Sequence, residues 1–170
     1  MAENSTIERI GDRIIFVAER ILALGLIAGI SLDFINVVGR YTGGFSVLGI
    51  DEIEIYILIW IAFVGAVAIT WRQLHLRMDI LTGSFSLPVR RIIWAFETLV
   101  MLVVTAFVGV QSFFYVSKVF ALGSISDIVG LPMWIPHSAV CLSFFAISAI
   151  VLVRGVERLR MSNPGPETKL

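Results

Sequence analysis

A chain of 170 residues that is 58% hydrophobic, with a mean hydropathy of +0.93, is too apolar for a soluble domain, whose apolar share is about 45 to 50%. Thirteen Lys/Arg balance thirteen Asp/Glu, and the absence of a basic stripe excludes nucleic acid as a partner. The single Cys141 excludes an internal disulfide and a thiolate metal site, which leaves an all-α integral membrane protein with the lipid bilayer as its solvent.

Crossing a hydrocarbon core of ~30 Å takes about 20 mostly apolar residues. Four such spans fit, near 14–38, 53–71, 89–117 and 133–153, in one membrane domain of residues 1–160 with a polar tail at 161–170. Residues 1–20 mix charge with apolar side chains, and Ser5 with Glu8 has the spacing of a capping box. Acids crowd this region and no small-residue cleavage site follows, so it reads as an amphipathic interfacial helix that continues into the first span, not as a signal peptide. In that span Gly25 and Gly29 predict a close helix approach. Asp33, Asn36 and Arg40 fall on one face at its far end, where two readings stand: solvated at headgroup depth, or shielded and paired.

The Gly-rich loop 39–50 leads to Asp51, expected as the cap of span two, with Glu52 and Glu54 in the first turn and an added ion pair to Arg40 across the loop. Ala62, Gly65, Ala66 and Ala68 mark a helix contact in this span. Residues 71–91 carry Arg72, Arg77, Arg90 and Arg91 against one acid, Asp79. The alternation at 74–80 predicts a short extended linker through His75 and Arg77, with Asp79 capping a brief interfacial helix that ends before Pro88. Span three carries Glu97 and Gln111 on nearly one face. Glu97 lies about two turns inside the boundary, where a carboxylate wants an arginine, and Arg72, Arg77 and Arg20 are the candidates. An interhelical polar contact is the simpler account of Glu97 than a proton relay. The apolar loop 118–132 is expected in or on the interface, and Pro132, Trp134 and Pro136 open span four.

Thirteen Lys/Arg, less Arg40 and Lys118, leave eleven on the side of the termini and the middle loop. That bias predicts both termini in the cytoplasm.

The runs GRYTGG (39–44), DEIE (51–54), LIWIAFVGAVAI (58–69), HLRMDIL (75–81), LPVRR (87–91) and LPMWIP (131–136) resemble, in order and spacing, the small DctQ-like membrane subunit of tripartite ATP-independent periplasmic (TRAP) transporters. The similarity covers about residues 14–155, and its most specific part is H-x-R-x-D after a W-x-x-x-x-G span. Arg40, Glu52, His75, Arg77, Asp79 and Pro88 stand at the motif positions. A tryptophan common before the outer acids is replaced here by Val47 and Leu48. The resemblance implies a subunit of the bacterial inner membrane, neither an enzyme nor a cofactor carrier. It would join a large multi-span subunit that holds the sodium and substrate sites and is fed by a periplasmic binding protein. The helices carry none of the Gly/Pro-interrupted midplane segments that mark a transport site.

Two other classes compete. A haem anchor needs ligands at one depth, whereas His75 and His137 lie at opposite boundaries. A self-sufficient proton-coupled exporter would use Glu97, yet span one has no acid at the matching depth. The substrate is not encoded here: dicarboxylates, sialic acids and 2-oxo acids all suit the family.

Overall fold

A computed structural model describes residues 3–44, 47–72 and 86–161. They form α1 (Glu3–Val38), a π-helical turn (Gly39–Gly43), α2 (Ile50–Trp71), α3 (Leu87–Ala121) and α4 (Trp134–Met161). Each of the four helices is long and apolar enough to cross a membrane. The reason is general: hydrocarbon offers no partner to a backbone N–H or C=O, so an apolar run there closes its own i to i−4 ladder. The charged segment expected to start as an interfacial helix, residues 1–20, supplies the first half of α1 from Glu3 on, with no break before the span. At 36 and 35 residues, α1 and α3 run about 50 Å each. They exceed the hydrocarbon thickness and must tilt or project from it.

The helix ends differ from the sequence-based expectation at α2. Its N-cap is Gly49, at φ 92°, and no side chain caps the helix; Asp51 lies one residue inside the first turn. The left-handed backbone there favours glycine. The loop also needs a bare Cα, since a Cβ on Gly49 would lie 2.6 Å from Val129 Cγ2. The stretch read as loop after Val38 stays helical for one π turn, and Gly44 at φ 65° closes it by donating its N–H to Gly39 O. Pro88 sits in the first turn of α3, where its missing N–H is harmless.

The four helices form an open row, not a closed bundle. α2 packs on α1 and α4, and α4 packs on α2 and α3, so α1 and α3 are the two edges. α3 and α4 run antiparallel in one sustained register: Phe120 meets Trp134, Tyr115 meets His137, Gly109 meets Phe145, the Ser148 hydroxyl donates to Thr105 Oγ1 at 2.9 Å, and Gly155 meets Thr98. α2 and α4 run parallel, joined midway by Phe63 and Phe144 with ring centroids 6.1 Å apart. The core is thin, and its buried apolar residues are small or mid-sized: Ile15, Ala68, Val119, Ala139, Cys141 and Ile147.

The Gly25/Gly29 pair faces α2, but with room for a methyl group, the nearest atoms to an added Cβ being Ile57 Cγ2 at 3.7 Å and Glu54 Cγ at 3.9 Å. The tight approaches occur at glycines the spacing did not single out. A Cβ on Gly11 would overlap the Trp71 ring, and one on Gly155 would overlap Thr98 Cγ2. Of the small residues in α2, Ala68 is buried, whereas Gly65 has open space beside it.

Candidate assembly surface

The row presents two broad apolar faces and two apolar edges. On α1 and α3 the large side chains stay open: Leu24 and Phe34 are 67% exposed, Ile92 70% and Phe96 67%. In a bilayer such faces meet either acyl chains or another membrane protein. The polar residues of this chain decide how the row is held at its two ends.

At the end that carries the 39–49 and 122–133 loops, Glu52 is the organising side chain. Its Oε2 accepts the Val129 N–H at 2.9 Å and its Oε1 accepts the Tyr56 hydroxyl at 3.1 Å. One carboxylate in the first turn of α2 thus fixes the loop that feeds α4. That loop is internally bonded as well. Ser126 N–H donates to Leu131 O at 2.8 Å, Leu131 N–H donates to Ser126 Oγ at 3.0 Å, and Met133 N–H donates to Ser124 O at 3.0 Å. Asn36, only 3% exposed, performs the equivalent task for α1: its Oδ1 accepts the Val47 N–H at 3.0 Å. Both contacts satisfy loop amides that would otherwise lack partners near hydrocarbon. Asp33, on the same face of α1, is half-buried, while Arg40 is exposed on the π turn. The ion pair to Arg40 does not form among the described residues, and Glu52 holds the loop amide instead.

The end that carries the chain termini is held by Trp71 and Arg72. The Trp71 Nε1–H donates to Asp12 Oδ1 at 2.8 Å, its ring covers Gly11, and the Arg154 guanidinium lies 4.7 Å from the ring centroid. One indole therefore touches α1, α2 and α4. Arg72 Nη2 meets Glu19 Oε2 at 2.6 Å, with both side chains partly exposed. An ion pair so placed contributes little stability but fixes a register. Arg72, one of the three arginines offered as partners for Glu97, is thus taken by Glu19, and the row explains it: Glu19 is on α1, next to α2, whereas α3 is the far edge. Arg20 lies over Phe16 at 4.7 Å, also at the α1 edge.

On α3, Glu97 and Gln111 are both exposed. Gln111 belongs to a groove between α3 and α4 with Tyr115, Lys118 and His137. His75, Arg77 and Asp79, with the brief helix expected before Pro88, lie outside the described residues. Among the described residues no three His, Cys, Asp or Glu side chains converge. What the arrangement offers is an apolar row with polar clamps at both boundaries.

Sequence reading missed Asp12, Glu19, Trp71 and Arg154 as one cluster, and Val129 as the partner of Glu52. Trp71 at the end of an apolar run was a visible signal, since tryptophan marks an interface. Nothing local pointed from Glu52 to an amide 77 residues later.

Residues 30–161 match the family described as tripartite ATP-independent periplasmic transporters, DctQ component. The chain is 28% identical over 138 residues to a TRAP transporter small permease protein of Haemophilus influenzae, covering 81% of this chain and 84% of that one. It is 27% identical over 139 residues to the ectoine TRAP transporter small permease protein TeaB of Halomonas elongata, covering 82% and 72%.

Proposed function

The chain belongs to the DctQ component family of tripartite ATP-independent periplasmic transporters, and from that premise we propose that it is the static scaffold of a sodium-coupled importer of small organic acids. It joins a large membrane subunit that carries the sodium and substrate sites, and a periplasmic binding protein delivers the substrate. The observation that carries this reading is the open row. Four unbroken helices side by side leave broad apolar faces, a shape suited to docking along another membrane protein and poor for enclosing a site. The chain sits in the inner membrane as a single domain with both termini cytoplasmic, a placement supported by the eleven-to-two distribution of Lys/Arg. Arg40, Glu52, Arg72, His75, Arg77, Asp79 and Pro88 serve positioning and assembly, not transport chemistry. The exporter reading has less support, because Glu97 lies on the α3 edge of an open row and not in an enclosed midplane cavity.

The test is reconstitution. Vesicles that contain this chain alone are expected to take up no dicarboxylate, sialic acid or 2-oxo acid under a sodium gradient, and co-purification with the large subunit is expected to be stable in detergent. Sodium-driven uptake by this chain alone overturns the scaffold reading.

A further inference from the structure

Near the C-terminal end of α3 the row opens a groove of about 510 Å³, between α3 and the start of α4. We propose that it binds one phospholipid of the leaflet that meets the loop end, with Lys118 and His137 at the phosphate and Tyr115 and Gln111 at the ester region. The inference rests on the helices crossing a bilayer and is independent of which terminus faces the cytoplasm.

Charge complementarity names the occupant. None of the residues lining the groove is acidic, and its polar members are a lysine, a histidine, a tyrosine, a serine and a glutamine, all able to donate a hydrogen bond. Lys118 stands in the last turn of α3 and His137 in the first turn of α4, so both lie at the level where headgroup phosphates occur. Phe120 and Trp134, with ring centroids 5.9 Å apart, mark the same interfacial level. Gln111 is seven residues before Lys118, about 10 Å deeper along the helix. A polar side chain exposed at that depth needs a partner, and the ester carbonyls of a lipid reach below its phosphate. Tyr115 and His137 meet edge to face at 4.8 Å, which fixes the imidazole at the wall of the groove, and Phe114 with Val140 offers apolar contact for an acyl chain. The volume falls within the roughly 300–1,000 Å³ of small-molecule sites.

Native mass spectrometry of the full chain in detergent, titrated with phosphatidylglycerol, tests the site. One tightly held lipid is expected on the wild type, with affinity about tenfold weaker in Lys118→Gln, from loss of the charge-assisted bond, and restored in Lys118→Arg. Diacylglycerol with the same acyl chains is expected not to compete, and neither is inorganic phosphate. A photoreactive phenylalanine analogue at Phe114, in the complex with the large subunit, is expected to capture lipid. The proposal is overturned by unchanged lipid affinity in Lys118→Gln, by equal binding of diacylglycerol, by displacement with inorganic phosphate, or by capture of a polypeptide at Phe114. Failure of reconstituted transport to depend on the large subunit would refute the scaffold reading while leaving these outcomes intact.

Discussion

The Trp71 indole lies against the bare Cα of Gly11 and donates its N–H to Asp12 Oδ1 at 2.8 Å, which ties the end of α2 to the start of α1. A helix surface without a Cβ lets the flat ring approach the backbone, and the hydrogen bond then orients it.

Gly11→Ala should force that ring away and cost about 1–3 kcal/mol, the usual range for overpacking. Asp12→Ala keeps the indole and removes only its hydrogen-bond acceptor, so its effect should be smaller. Thermal unfolding of the detergent-solubilised protein would rank the two, and an equal or greater loss in Asp12→Ala would contradict the packing account.

Thr98 and Gly155 set the register of α3 against α4 near their other end. Gly155→Ala should destabilise by about 1–3 kcal/mol through collision with Thr98 Cγ2. Thr98→Ser removes that methyl group, so the double variant should recover most of the loss, a coupling visible as non-additivity in a double-mutant cycle. Additive losses would show that the two residues do not meet.

Glu52→Ala should release the loop before α4. The Val129 amide loses its carboxylate acceptor, and its hydrogen exchange should speed up by about an order of magnitude, the effect of one charge-assisted bond. Glu52→Gln keeps an acceptor oxygen and should lie between Ala and wild type. Protection at Val129 that is unchanged in Glu52→Ala would remove Glu52 from this role.

Asp79 lies in the segment whose structure is not described, and its role follows from the positioning function proposed for the 75–79 motif. Asp79→Ala should remove a helix cap of ~1 kcal/mol and lower the yield of assembled complex, with the apparent substrate affinity nearly unchanged. Normal assembly together with a tenfold shift in substrate or sodium affinity would place this loop in the transport mechanism instead.

Hydropathy alone determined that the chain holds four membrane helices, because the thickness of hydrocarbon and the need to satisfy every backbone group allow few alternatives. The motif order was equally legible, since it is a property of the chain and needs no coordinates. Only the tertiary structure decided the open row, the pairing of Arg72 with Glu19, and the grip of Glu52 on Val129. The same physics accounts for that division. In a soluble helix the apolar stripe names the inward face, but a helix surrounded by lipid is apolar on all sides, so its pattern does not say which flank meets a neighbour. Gly25 and Gly29 had the spacing of a contact motif, yet the close approaches fell at Gly11 and Gly155, where a particular side chain on the facing helix needed the room.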